Sequence, residues 1–405
     1  MRGPALAAGL ALVAGPAFAL DAGAFSDALV RMPEGLPEVS IEHGEPEVEG
    51  STIVLPDLAV VYPPEMGQNP MRLGDVTFEG VEALPDGAYR YSRAIGGAAV
   101  ANLSEEDYGA NFTFSVDGWR IENGYLPHEG EVVEVAPNGA IGGVYDRLVI
   151  DRSQTAFPVG MIFLFEETVA EFDWRTSPRR FTASGDLTAD ISGLFSLNED
   201  VAAFLEANDL AELMGRQIIE TIYDPAAGNY QVSIDTAFDR IGTLRQEHVF
   251  TGATPTAIAR LYDMPDDPAD PDDEAAITAE TEQLLDILGS IQLGTNSLAF
   301  VDDGLTEALL NFAAERTGSS VQALRSIAAG SVPVGVGAMG VPSLITPSFE
   351  AVDTFLRDPG SFRIAIEPEA PVSVNAIVDA AEDGPGAVVD LLNVVVKANE
   401  PEANR

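Results

Sequence analysis

No cysteine occurs anywhere in the 405 residues. That removes disulfides, zinc–thiolate sites, iron–sulfur ligation and thiol catalysis. Basic residues are scarce: 21 Lys and Arg, with Lys397 the single lysine, stand against 65 Asp and Glu, a net charge of −44. Nucleic acid needs a basic face, so it is excluded as a partner. Docking on anionic lipid head groups by charge fails for the same reason. A Lys-poor acidic surface suits a saline medium. Histidine is limited to His43, His128 and His248, and none lies three to five residues from another, so no helical zinc pair exists. No Gly-x-Ser-x-Gly occurs, so the nucleophile elbow is missing. Trp119 and Trp174 are few for a sugar-stacking cleft. Long apolar runs are also lacking. Past the N-terminus the longest candidate, Phe157 to Phe165, is far short of the roughly 20 residues of a membrane span and suits a buried strand.

What is present begins with a leader. Met1-Arg2 is a short positive start, Ala5 to Ala14 is apolar, and Pro16-Ala17-Phe18-Ala19 supplies small residues where an exporting peptidase reads. The pattern predicts a signal peptide over 1–19, cleaved after Ala19, and a periplasmic location. With no cysteine at the cut, a lipid anchor is excluded there.

Residues 20–50 read as an acidic, Pro-rich lead-in outside the core: Glu34, Glu38, Glu42, Glu45, Glu47 and Glu49 crowd around Pro33, Pro37 and Pro46. Residues 51–195 read as a β-rich N-terminal part. Asn111 to Val116 alternates polar and apolar, and Asp117-Gly118 then predicts a hairpin turn before Trp119. Phe181, Ala183, Leu187, Ala189 and Ile191 fall at even spacings, interrupted at Gly185. Residues 196–397 read as an α+β C-terminal part, followed by a tail over 398–405. Within it a helix is predicted over about 198–222, ended by Asp224-Pro225, then a strand from Tyr230 towards Phe250. Further helices are predicted over 275–288, 305–316, 347–357 and 375–381, with strands over 291–300 and 362–366. Leu305, Ala308, Leu309, Phe312 and Ala313 share one helical face, and Gly318 caps it. Ser319 and Gln322 then have capping-box spacing.

Three motifs invite chemistry. Gly335-Val-Gly-Ala-Met-Gly340 matches the dinucleotide fingerprint literally, but a helix precedes it and Pro342 follows, so it reads as a loop or hinge and no cofactor is expected. Asp266, Asp267, Asp270, Asp272 and Asp273, with Glu274, could chelate calcium, although Pro265, Pro268 and Pro271 stiffen that loop over 263–274 against wrapping an ion. His128 sits in a Pro/Gly-rich turn and His248 reads as a strand residue; an acid beside either in a cleft is what a dispersed hydrolase site needs.

The C-terminal third carries a resemblance. Leu298 to Gly304 feeds the helix Leu305 to Glu315, and Ala351 to Gly360, Phe362 to Pro368 and Pro371-Val372 follow. This pattern, over roughly 180–397, resembles exported bacterial proteins of unknown function, loosely YdgA-like and AsmA-like periplasmic proteins. The resemblance implies long antiparallel sheets with helices on one face and, for AsmA-like proteins, a role in envelope lipid traffic. It transfers no catalytic residue.

The expectation is therefore an α+β protein: an extended antiparallel sheet with amphipathic helices on one face, and a β-rich N-terminal part. Its expected role is non-enzymatic, holding a lipid or hydrophobic segment in an apolar groove on the sheet face that helices 305–316 and 347–357 cover only in part, with an envelope protein as a second kind of partner. A hydrolase with a dispersed active site and a calcium-stabilised surface module are the alternatives.

Overall fold

The computed structural model describes residues 20–31, 40–61, 70–103, 112–129, 144–193, 199–262 and 283–400. The leader and the acidic loop with its calcium candidates Asp266, Asp267, Asp270, Asp272 and Asp273 lie outside them.

Strands dominate. In chain order they are β1 (Ser40–Glu42), β2 (Glu47–Glu49), β3 (Thr52–Val61), β4 (Met71–Glu79), β5 (Glu82–Ala83), β6 (Tyr89–Gly96), β7 (Ala99–Leu103), β8 (Phe112–Leu126) and β9 (Arg147–Ala156). They continue as β10 (Ile162–Asp173), β11 (Arg179–Asp190), β12 (Glu212–Asp224), β13 (Asn229–Phe238), β14 (Gly242–Thr251), β15 (Gln292–Asp302), β16 (Ser361–Ile366), β17 (Val372–Ser373) and β18 (Val394–Ala398). All belong to one antiparallel sheet. From β8 to β16 each named neighbour follows its predecessor in sequence, so these strands form an antiparallel meander, with helices in its longer connections. β1 and β2 pair with β3 at one end, and β18 pairs with β16 at the other. The helices are α1 (Ala22–Val30), α2 (Glu199–Ala207), α3 (Pro255–Tyr262), α4 (Leu305–Thr317), α5 (Val321–Ala338), α6 (Ile345–Arg357), α7 (Val374–Glu382) and α8 (Pro385–Leu391). Residues 283–289 are also helical. The coarse expectation, an α+β chain built on a large antiparallel sheet, holds.

Several local expectations do not. The lead-in is not outside the core: Asp21 caps α1 by accepting from the Ala24 amide at 3.1 Å, and Phe25, Ala28 and Leu29 are buried. Three apolar residues on one helical face outweighed the acidic composition around them. Asp117-Gly118 is no turn. β8 is paired along both edges there, with β6 and β7 on one side and β9 on the other, and the extra residue is absorbed as a bulge. The helix expected over 198–222 ends at Ala207. Asn208 folds its amide back onto the Phe204 carbonyl at 2.9 Å, Asp209 takes φ 54°, and the β-branched run Ile218, Ile219, Thr221, Ile222 builds β12. Phe157 to Met161 forms a turn, and the strand starts at Ile162. Gly335 and Gly337 lie inside α5, so the expected hinge is helical; Gly340, at φ 74°, comes just after its end. The cap of α5 is Ser320, one residue past the expected one, accepting from Ala323 N at 3.1 Å.

The two faces of the sheet differ in kind. Residues paired directly across an antiparallel ladder share a face. One register row runs Val48, Ile53, Phe78, Ala94, Ile121 across β2 to β8. It continues through Leu148, Ala170, Ala183, Ile219 and Ile234 across β9 to β13. It finishes with Gln246, Leu298, Ile364 and Val396 across β14 to β18. Every member except Gln246 is apolar. The opposite face carries cross-strand ion pairs instead: Arg147–Glu122 at 3.3 Å, Arg120–Asp151 at 3.3 Å, and Arg245–Asp235 at 3.7 Å. Their side chains are 29% or more exposed, so each contributes little to stability.

Candidate functional site

Towards its N-terminal end the apolar row is buried, with Ile53, Phe78, Ala94 and Ile121 at most 5% exposed. A cavity of about 330 Å³ is lined by strands β3, β4, β6, β7, β8 and β9 and by α1. Its wall includes Leu29, Leu58, Met71, Leu73, Val116, Trp119 and Ile150, and the lining side chains that carry a hydroxyl or ring N–H are Tyr91, Tyr145 and Trp119. Aromatic rings fix its shape. Phe25 of α1 meets Phe78 edge-on at 5.0 Å and Tyr89 at 5.4 Å, and Phe78 meets Tyr91 at 5.2 Å. Two glycines let the rings lie flat on the sheet. A Cβ at Gly124 would stand 1.8 Å from the Tyr91 ring, and one at Gly96 would stand 2.2 Å from the Trp119 ring.

Burial pushes the Tyr91 hydroxyl pKa up, and the neighbouring Tyr145 adds to the shift. Tyr145 is raised by burial alone. Tyr89 is raised by burial first and then by Asp21. The hydroxyls stay neutral through physiological pH, so the cavity presents apolar surface with a few uncharged donors.

Beyond the cavity the apolar face opens to solvent. On β11 to β18 it carries no Asp, Glu, Lys or Arg between Arg179, which pairs with Tyr223 at one margin, and Asp302, which pairs with Gly242 at the other. Leu298 is 48% exposed and Ile364 45% exposed, large values for apolar side chains on strands paired along both edges. α6 covers part of this end: Phe355 sits edge-on to Phe362 at 5.7 Å and to Phe300 at 6.5 Å.

Two polar groups interrupt the open stretch: Gln217 donates to Thr236 Oγ1 at 3.1 Å across β12 and β13, and a larger island lies on β14 and β15. His248 pairs with Asn296 across β14 and β15, and Gln246 follows His248 on the same face. The Asn296 amide donates to the Gly294 carbonyl at 3.1 Å and to that of Val249 at 3.5 Å. Its Oδ1 therefore accepts from His248 Nδ1, 3.0 Å away, which leaves the lone pair on Nε2. Phe250 stacks beside the imidazole at 6.4 Å.

The sequence candidates fare unevenly. His248 enters the apolar face as a strand residue. His43 bonds the Gly44 carbonyl and His128 that of Glu129, each next to it in the chain. Of the two helices expected to cover part of the apolar face, α6 does so through Phe355. α4 instead packs on α2, Phe312 against Phe204 at 5.4 Å, with an Arg316–Asp200 ion pair. Among the described residues no three His, Asp or Glu side chains converge as a metal site needs. Sequence reasoning missed the cavity itself. Its signal was the pairing of Gly96 and Gly124 with nearby aromatic residues, small residues that make room for rings.

Residues 235–399 match the model of a family described as an uncharacterized protein. The segment spans β13 to β18 and holds the whole polar island. No curated protein matches the chain.

Proposed function

We propose that the protein binds the hydrocarbon chain of an amphiphile along the apolar face of its sheet, with the cavity over β3 to β9 as the deepest seat. The observation that carries this reading is the cavity of about 330 Å³, walled by Phe78, Ala94, Ile121 and Leu148 of a register row that stays apolar from β2 to β13. An apolar cavity of about 150 Å³ takes one benzene, so this one takes a group about twice that size. A longer chain has to continue onto the open face. Burying one methylene gains about 0.8 kcal/mol, so ten gain about 8 kcal/mol, within the ~4–15 kcal/mol lost on immobilising a ligand. Short chains are released and long chains retained. The leader over 1–19 supports a periplasmic setting, where such a protein would serve envelope maintenance as a lipid-binding component.

Trp119 lines the cavity and gives the test. In a Trp174→Phe variant Trp119 is the single tryptophan, excited selectively at the red edge of its absorption. Titration with dibrominated stearate is expected to quench it saturably. Val116→Phe, which fills the cavity, is expected to raise the half-saturation concentration at least about tenfold while the fold is kept. Absence of saturable quenching overturns the reading.

A further inference from the structure

We propose that Gln246, His248 and Asn296 form the head-group seat of that amphiphile, and that the head group is a carboxylic acid. The proposal rests on the chain-binding reading above and adds a place and a chemistry to it.

A polar residue on an apolar face carries a cost. Val232 and Ile234 flank the island on β13, and Leu298 and Ile366 flank it on β15 and β16. Half-buried polar side chains among such neighbours are unfavourable unless they bond something. Asn296 is satisfied within the sheet, by two carbonyls and by His248. Its role is to hold the imidazole in one orientation and one tautomer, as the third group of a relay does. What remains is an acceptor, His248 Nε2, with the Gln246 amide two residues along the same strand as donor.

That pair matches one head group well. The hydroxyl of a carboxylic acid donates to Nε2, and its carbonyl accepts from the Gln246 amide. If the proton moves across, the product is an imidazolium facing a carboxylate, again a favourable pair. The same atoms suit other heads poorly. A phosphodiester calls for Arg or Lys, and this face offers neither between its margins. A methyl ester lacks the proton that Nε2 accepts. The separation is also suitable. Leu148 at the cavity and Gln246 lie in one register row five strand spacings apart, about 24 Å along the sheet, which is the reach of a long single chain lying along the row.

The experiment uses the full chain carrying Trp174→Phe, with dibrominated stearic acid and its methyl ester as probes of Trp119 quenching. The expected result is that the acid binds at least about tenfold more tightly than the ester, and that His248→Leu removes this preference while leaving ester affinity within about twofold. His248→Gln, which keeps a polar side chain on the strand, is expected to lose most of the preference too and guards against a folding defect. Equal binding of acid and ester by the parent chain overturns the head-group seat and leaves chain binding standing. Retention of the preference in both His248 variants does the same. Failure of both probes to quench overturns chain binding and the seat with it.

Discussion

Replacing Phe25 by alanine tests whether α1 is part of the core. Phe25 is 0% exposed and makes edge contacts with Phe78 and Tyr89. Truncating a buried phenylalanine costs about 3–5 kcal/mol from lost transfer energy and the void left behind. Aromatic pairs add roughly 0.5–1.5 kcal/mol each beyond their area, so two such pairs place Phe25→Ala in the upper half of that range, about 4–5 kcal/mol. One kcal/mol shifts the melting temperature by about 2–4 °C in domains of 150–250 residues, and this longer chain belongs near the lower figure. A fall of roughly 8–10 °C is expected in calorimetry or near-UV circular dichroism. Val30→Ala on the same helix supplies the control: Val30 is 37% exposed, so it should cost within about 0.5 kcal/mol. If Phe25→Ala melts within about 2 °C of the parent, α1 does not seal the cavity floor, and the acidic segment lies outside the core as its composition first suggested.

Other expectations follow from the same geometry. Tyr91, Tyr145 and Tyr89 ionise at higher pH in the fold than the ~10 of an unfolded tyrosine. Their contribution is therefore complete below about pH 10 and is lost as pH rises above it; tyrosinate absorbance and loss of circular dichroism should appear together, and Tyr91→Phe should delay both. Tyrosinate formation complete before any loss of structure would refute this. Gly330 and Gly335 stand in α5 with open space where a Cβ would go, so Gly330→Ala and Gly335→Ala should each stabilise by about 0.5–1 kcal/mol in urea unfolding; destabilisation would argue against a helix there. Gly124→Ala should cost at least about 1–3 kcal/mol because the Tyr91 ring fills the space. Where α2 meets α4, Phe204→Ala should cost about 3 kcal/mol or more, whereas Asp200→Asn should cost under about 1 kcal/mol, since both ends of the Arg316–Asp200 pair are more than half exposed.

How much of this was legible in the sequence depends on whether the signal was local. The periodicity of Leu305 to Phe312, with Gly318 after it, placed α4 to within a residue, because a one-faced helix and its left-handed cap are written in a short window. Residues 291–300 and 362–366 were legible as strands from alternation alone. β12 was not, because Val201 to Ile222 supplies enough apolar residues to fit either period; the decision came from pairing with β11 and β13, which no window contains. Asp117-Gly118 failed similarly. Its turn chemistry is real, but both strand edges at that point are occupied by partners distant in sequence. The cavity was hidden for the same reason, since Leu58, Tyr91 and Leu148 converge only once the register of the meander is set. His248 was visible as a strand residue. Its partner Asn296, 48 positions away, was not.

Native mass spectrometry of the protein purified without detergent from the cells that express it, followed by organic extraction, tests the central claim most directly. The account predicts a population heavier than the apo chain by the mass of a long-chain amphiphile, with a long-chain carboxylic acid in the extract. A parent chain that carries only its own mass, and gains none when incubated with stearic acid at saturating concentration, would contradict it.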